Sequence, residues 1–513
     1  MLINKTLLLT SAVGLALGMS SCKKYLDVNT NPNISQIATV QTLLPAAQLY
    51  VGSAVGVDLQ VNGSIWAQFW TQTPIASQYI SLEQYSAGQD AFQYPWSNLY
   101  SGASNFYQLG KLADSLKKRP YAAISLLMQA YTFQLLTDGW GDVPFTDALK
   151  GQYSDGHFIN PKYDSQRVVY NGILKYIDSA NKLLTMGGTA PGSDDLIYSG
   201  NMSKWQKFSN TLKLKALVRL AKIDPAGTQA RINLFYSTSP VFIGAGDDAA
   251  IKYGFSSANK NPLYAEASSA TLANIQNLGG SKTCIDSMNN NDDYRAFAFY
   301  EYVAAAGQPV GITQGTFNIA LPGGSYSIPN VYVAGDAGSS ESAKAPVNLL
   351  TSWESMFLQA EVVARGWQAS SSGMTDDTLF YHGIKASFTY YSDAINTELG
   401  VTGVDAYDIY INGDVPNAID PGYWTVYPAS GSAEDKIRFI ITQKWFAMCG
   451  NQGFEAWTEW RRTGYPDFLV HPASSLIGNQ MPRRFIYPTS ESTTNSTFPG
   501  VQPLTAKVWW DIL

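Results

Sequence analysis

The sequence predicts a mainly α fold in which helical hairpins stack into a scaffold, with a large loop-rich region and a few short strands set into it. Three observations predict it. Apolar residues recur three and four apart in a series of stretches, the signature of amphipathic helices. Those stretches end on glycine or just before proline, residues that stop a helix. Between them, at about 230–345, 401–432 and 467–513, Gly, Ser, Asn and Pro become dense and the helical period fades. Helix pairs of this kind bury their apolar faces only by stacking, as tetratricopeptide hairpins do, although no repeat here fits that roughly 34-residue consensus. The expected geometry is therefore tetratricopeptide-like. A single body, 34–513, carries its scaffold at about 34–229, 346–400 and 433–466, with the loops laid over one side.

The chain opens with Lys5 as its one early charge, and Leu7 to Leu17 is almost purely apolar. A basic start and an apolar core of about 7–15 residues read as a secretory signal; a membrane span needs about 20. Small residues Ser20-Ser21 precede Cys22, which resembles a lipoprotein cleavage box with Met19 where Leu, Val or Ile is usual. Residues 1–21 are thus expected to be a lipoprotein signal peptide, Cys22 the lipidated first residue and 22–33 a flexible leash. Acyl chains, at about 0.8 kcal/mol per buried CH₂, would hold the body on a membrane surface. An ordinary signal peptide with an incidental cysteine is the plainer alternative. Asp27 to Asn33 sets oxygen ligands at alternate positions, as a calcium loop begins, but lacks the closing Glu. A capped turn is expected there, with structural calcium the lesser alternative and no other cofactor.

Trp96, Leu99, Tyr100, Ala103 and Tyr107 mark the first clear helix. Pro120 fits the first turn of the next, with Ile124, Leu127, Met128, Tyr131 and Leu135 inward and Gly139 as its stop. Asp164 or Ser165 caps a third, carrying Val169, Ile173, Ile177, Ala180 and Leu184 and closed by Gly187-Gly188. Trp205, Phe208, Leu212, Ala216 and Leu220 mark a fourth, ending before Asp224-Pro225; its Lys204, Lys207, Lys213, Lys215 and Arg219 read as a solvated face. Asn330 to Val333 is a short strand-like run. Helices return with Trp353, Phe357, Ala360 and Ala364, then with Tyr381, Ile384, Phe388, Tyr391 and Ile395 before Gly400. Ser432, backed by Glu434 and Asp435, starts a helix with Ile437, Ile440, Ile441, Trp445 and Met448 inward; the acids complement the helix dipole. Gly453 to Arg462 makes one more, ended by Gly464 and Pro466.

Charged residues are 14% of the chain against the usual quarter, and 13 Trp, 31 Tyr and 22 Phe fill the gap. Tyr and Trp supply stiff, amphipathic contact area suited to polar ligands with apolar faces. The net charge is −6, or −7 once Lys5 is removed, which argues against a nucleic-acid partner. Cys284 and Cys449 remain after Cys22 is assigned to lipid. An exported compartment permits a bridge between them, but sequence cannot bring them together, and Cys449 in its helical pattern reads as a small packed hydrophobe.

No constellation reads as catalytic. His157, His382 and His471 are isolated, and G-x-S-x-G and G-x-G-x-x-G are missing. Gly280-Ser-Lys-Thr283 lacks the Gly that must directly precede Lys in a phosphate loop. Glu455 and Glu459 stand one turn apart, and a glycosidase needs two carboxylates. Beside Trp457, Trp460 and Arg461 they read instead as a scaffold salt-bridge network. A binding protein is the expectation; a surface hydrolase using Glu455 or a loop carboxylate, and a purely structural partner, are alternatives from other classes.

Several blocks, in order, resemble the SusD/RagB-type nutrient-binding outer-membrane lipoproteins of Bacteroidetes, in their SusD-like branch. They are Cys22 to Asn33, Leu136 to Phe145, Tyr163 to Gln166, Asp195 to Tyr198 and Lys204 to Phe208. Leu358 to Glu361, Phe454 to Pro466 and Pro482 to Pro488 complete the set. The resemblance spans the mature chain. It implies a tetratricopeptide-like scaffold with an elaborate loop region and no catalysis. It also implies capture of glycans, or in some members peptides, and their delivery to a TonB-dependent, SusC-like barrel on the cell surface. No binding residue transfers by motif. The candidates are therefore aromatics next to amide or carboxylate groups, which offer a sugar both a ring face and hydrogen bonds. They are Trp66, Trp70, Tyr79 and Tyr85, beside Gln68, Gln72, Gln78 and Gln84, and Tyr326, Tyr423 and Trp424 in the loops. Core packing competes with this role at each, and Trp66 and Trp70, four apart, read equally as one buried face.

Overall fold

Two helices that the periodic stretches do not mark open the folded body. They are α1 (Val40–Ala54) and α2 (Gln60–Trp66), joined through a π-helical turn, Val55–Leu59. A short α3 (Ile80–Glu83) follows. The computed structural model describes residues 38–151, 158–367, 373–413 and 424–513. Within it Val40–Leu513 forms one compact unit. The expected signal peptide, Cys22, the turn at Asp27 to Asn33, His157 and Tyr423 lie outside the described residues.

The scaffold begins with α4 (Gln93–Ser115) and α5 (Arg119–Trp140). Only Leu116 to Lys118 separate them, so the chain must reverse. Pro120 sits in the first turn of α5, where its missing N–H costs nothing. Gly139 does not stop this helix. Gly141, at φ +87°, does, while Gly139 lies inside against the Phe485 ring. Next come α6 (Gln166–Thr185), α7 (Met202–Arg219) and α8 (Pro225–Tyr236). Asp224 accepts from the Gly227 N–H at 3.1 Å to cap α8, which starts in the expected scaffold and runs into the stretch read as loop from about 230. Each helix from α5 to α8 packs on the one before it, and α1 packs on α4.

The region between holds α9 (Pro262–Ala267), α10 (Lys282–Asn289) and α11 (Arg295–Phe299) among irregular chain. Strands pair as three antiparallel two-stranded ladders among the described residues. β1 (Trp70–Gln72) pairs with β5 (Leu278–Gly280), β2 (Val143–Pro144) with β3 (Tyr163–Asp164), and β4 (Ala249–Ile251) with β6 (Val347–Leu350). The run Asn330 to Val333 is not a strand. The Asn330 side chain accepts from the Val331 N–H and winds it into a 3₁₀ turn. The scaffold resumes with α12 (Ser352–Ala364) and α13 (Asp376–Tyr390), which pack together, then α14 (Ser392–Leu399) and α15 (Gly403–Asn412). The last long pair is α16 (Ala433–Met448) and α17 (Gly453–Thr463), followed by the short α18 (Thr489–Thr494). Ser432 and Asp435 cap α16 reciprocally, and Gly464 ends α17 at φ +87°.

The core is ring-rich. Trp66 meets Trp457 edge-on at 4.8 Å and Phe485 at 5.4 Å. At Gly63 the backbone of α2 touches that of α17, and a Cβ there would overlap Gly453 and Phe454. Beneath the rings runs a buried ionic lattice. Arg219 holds Asp138, Glu455 and Glu459; Lys215 holds Glu354 and Glu455, both at 2.9 Å; Arg462 holds Glu361 and Glu459, both at 2.6 Å. Lys215 and Arg219 therefore leave the solvated face expected of them. Charges this deep persist only when each is matched. Lys204, Lys207 and Lys213 do stay near the surface, paired with Asp247 and Asp178.

Candidate functional site

A cleft of about 400 Å³ opens in the loop-rich region, within the size range of ligand sites. Asn289, Asp292, Asp293, Tyr294, Phe297, Gly307, Gln308, Leu399 and Val401 line it. One wall begins where α10 ends. Asn291 and Asp293 donate their backbone N–H groups to Met288 O at 3.1 and 3.0 Å, closing a turn in which Asp292 takes φ +52°. Tyr294 then leads into α11. After α11 the chain runs extended and doubles back in a hairpin, with Val303 opposite Gln308 and Gly307 at φ +70°. The Asn289 amide donates to Pro309 O at 3.0 Å and clamps the end of α10 to the returning strand. Leu399 and Val401, either side of Gly400, form the facing wall.

Two rings, Tyr294 and Phe297, line the first wall, and a third, Tyr302, stacks on Phe297 from outside the lining residues. Tyr294 meets Phe297 edge-on, centroids 6.4 Å apart, and Tyr302 stacks on Phe297 at 6.2 Å and 27°. Tyr302 is 48% exposed, so about half of its surface is uncovered. The platform stands on a rigid base. Asp293 and Arg295 are fully buried, and the guanidinium donates to both carboxylate oxygens at 2.9 and 2.6 Å. It also donates to Gln443 Oε1 at 3.4 Å and lies 4.6 Å from the Phe388 ring and 5.6 Å from the Tyr410 ring. Beside Tyr302, burial, and then Asp336 and Glu398, push the Glu301 carboxyl up to about 7. Asn289 and Gln308 amides and the exposed Asp292 carboxylate add donors and acceptors near the rings.

The aromatics singled out in the sequence lie elsewhere. Trp66 and Trp70 have no exposed surface and Tyr85 only 1%. Trp66 donates to Leu82 O at 3.1 Å and is boxed in by Trp457, Phe485 and Phe92. Trp70 sits in the β1–β5 ladder opposite Gly280. Tyr326 and Trp424 are also buried, Trp424 between Phe439, Phe468 and the Arg438 guanidinium. A ring packed on all sides has no face for a sugar, so these five are packing residues in the folded chain. Their glutamine neighbours serve the fold as well: Gln68 exchanges two bonds with Val470, and Gln72 accepts from the Tyr79 N–H at 2.7 Å. Tyr79 is half-buried and lines a cavity of about 20 Å³ with Gln78 and Glu266, room for a water and not a sugar.

The cleft residues were present in the sequence as Asn289, Asp292 and Asp293, legible only as part of a polar turn, and as Tyr294 and Phe297 behind it, with Tyr302 stacked on Phe297 further along. Clustering of rings directly after an Asn/Asp-rich turn is the signal that could have found them. Glu455 and Glu459 belong to the buried lattice. Burial raises a carboxyl, but Arg219, Lys215 and Lys444 hold Glu455 below its ordinary value, and Arg462, Lys444 and Arg219 do the same for Glu459. Both stay ionised and neither lines the cleft, so no acid–base pair forms there. A larger cleft, about 610 Å³, lies between α6, α7 and α8. Its wall is mostly apolar, and Phe235, the ring among its lining residues, is buried with Lys213 Nζ 4.9 Å from its centre. Among the described residues no group of three or more His, Cys, Asp or Glu is placed to hold a metal, and no helix is long and apolar enough to cross a membrane.

Comparison with known proteins places this architecture. A SusD-like family model, described as starch-binding associating with outer membrane, matches residues 31–488. No curated protein matches the chain. Among solved structures, a SusD homolog from Bacteroides uniformis is 25% identical, with 92% of this chain and 99% of that one covered and a TM-score of 0.73. A SusD-like protein from Bacteroides thetaiotaomicron is 22% identical over 93% and 99% of the two chains, TM-score 0.71. A chitin-binding SusD homolog from Flavobacterium johnsoniae is 23% identical over 91% and 98%, TM-score 0.70.

Proposed function

The chain belongs to the SusD-like family, and from that premise we propose that it captures an oligosaccharide at the outer membrane and delivers it to a TonB-dependent, SusC-like transporter. The observation that carries the binding half is the ring platform Tyr294, Phe297 and Tyr302 with Asn289, Asp292 and Gln308 beside it. A pyranose has an apolar C–H face and a rim of hydroxyls. An open ring takes the first, and amides and a carboxylate take the second. The volume of the cleft, about 400 Å³, suits a short oligosaccharide.

The role is binding, not catalysis. The one carboxylate pair that invited a hydrolase reading, Glu455 and Glu459, is held ionised inside the scaffold by Arg219, Lys215, Lys444 and Arg462. Lipid on Cys22 would keep the body at the membrane surface, within reach of a barrel partner.

Isothermal titration with malto- and chito-oligosaccharides tests the reading. Starch is named in the family description and chitin in that of one fold neighbour, so these are the first probes. Saturable binding without shortened products is the expected result. Binding of peptides and of no glycan would replace the ligand, and appearance of shorter sugars would replace binding with hydrolysis.

A further inference from the structure

Cys284 lies in α10, and Cys449 ends α16, 165 positions later. Both are fully buried, and their sulfurs stand 3.8 Å apart. These are the only cysteines of the folded body. A buried residue touches about 6–12 others, so two cysteines placed without regard to each other in a chain this long would meet roughly 2 times in 100. A disulfide needs about 2.0 Å between sulfurs, and closing the remaining gap of about 1.8 Å is within reach of a change in side-chain torsion. The surroundings tolerate the bond. The Tyr300 hydroxyl, 3.2 Å from Cys449 Sγ, donates to Phe69 O at 2.8 Å and keeps that partner when the thiol hydrogen is gone.

We propose that Cys284 and Cys449 are joined as a disulfide in the exported protein, stapling the loop region that builds the cleft to the helical scaffold. Cys284 lies five residues before Asn289, and Tyr300 two before Tyr302, so the bond fixes the base of the ring platform. The oxidant is a protein disulfide of the thiol–disulfide oxidoreductase class. The thiolate of one cysteine attacks it to form a mixed disulfide, and the second cysteine displaces that partner. The two thiols lose two protons and two electrons, and the oxidoreductase leaves as a dithiol. Exchange takes place during folding, before the sulfurs are covered. Once buried, the Cys449 thiol is pushed well up, by burial and then by Cys284, and forms little thiolate. An outer-membrane-associated protein folds where such bonds persist.

The test uses the full chain recovered from the membrane fraction of cells that export it. The protein is unfolded with an alkylating reagent and no reductant, and its peptides are mapped by mass spectrometry. Cys284 and Cys449 should appear in one cross-linked peptide pair, neither alkylated. Prior reduction should expose both to alkylation and lower the thermal midpoint by about 2–5 °C. Cys284→Ser should leave Cys449 open to alkylation, and Cys449→Ser the reverse. Finding both thiols alkylated without reductant overturns the proposal, as does a mixed disulfide with a foreign thiol in place of the internal bond.

Discussion

Removal of the Tyr302 ring isolates the platform from the rest of the fold. Tyr302 is 48% exposed. A tyrosine side chain presents about 200 Å², so roughly 100 Å² of it is open. Phe297 already covers part of the buried remainder, and a sugar laid on one ring face would cover about half of the open area, about 50 Å². At about 25 cal/mol per Å² that face contributes about 1.3 kcal/mol, or roughly tenfold in Kd. Tyr302→Ala should therefore weaken oligosaccharide binding about tenfold by isothermal titration, with the thermal midpoint lowered by about 2–3 °C, since the buried half of the side chain, about 100 Å², contributes about 2.5 kcal/mol in a chain of this size. Tyr302→Phe should bind within about twofold of the parent, because the ring face and not the hydroxyl carries the contact. Saturable binding to the parent with a Kd unchanged in Tyr302→Ala would show that the sugar sits elsewhere, and the cleft assignment would fall.

Other expectations concern the frame beneath the cleft. Gly63→Ala drives a Cβ into the backbone of Gly453 and Phe454; denaturant unfolding should show a loss of at least about 1–3 kcal/mol, since neither backbone can yield as a side chain does. Arg462→Met strips Glu361 and Glu459 of their shared buried partner and should lower stability by about 3–5 kcal/mol in the same assay. The pH dependence has two edges. Asp58, through burial and then Glu266, and Glu301 are both raised to about 7. Their protonated forms favour the fold, so that stability is complete below the ordinary carboxyl range and is lost as pH rises through about 7. Glu361 goes the other way: burial raises it, but Arg462 and then Arg365 hold it down to about 2. Its contribution is present above the ordinary carboxyl range and lost as pH falls toward 2. From these groups the thermal midpoint should peak at about pH 4–5, where the ordinary carboxyl range lies, and decline as pH rises to about 7, and the double variant Asp58→Asn, Glu301→Gln should flatten that decline. A midpoint that climbs steadily to pH 9 would refute that sign.

Much of the scaffold was legible because its signals are local. The 3–4 stripe of Val169, Ile173, Ile177 and Ala180 is buried as spaced, and Ser432 with Asp435 caps its helix within four residues. Where local signals misled, a distant group had intervened. Lys215 and Arg219 share a helix with surface lysines, yet turn inward because Glu354, Glu455 and Glu459 wait there. Two helices escaped notice: α2 is buried along its whole length and shows no polar face, and α1 buries a stripe of Val40, Leu44, Ala47 and Val51 but blurs it with the exposed apolar Leu49 and Tyr50 on its outer side.

The sequence by itself determined the helical class, most helix ends and the family, since these rest on residue type and short spacing. Tertiary structure alone decided which rings face a ligand. Trp66 and Tyr302 are equally aromatic and equally close to amides. The first is covered by Trp457 and Phe485, some four hundred residues along the chain, and the second is left half open at a hairpin's edge. Exposure is set by what folds back over a residue. That covering is made of long-range contacts, which no local pattern encodes.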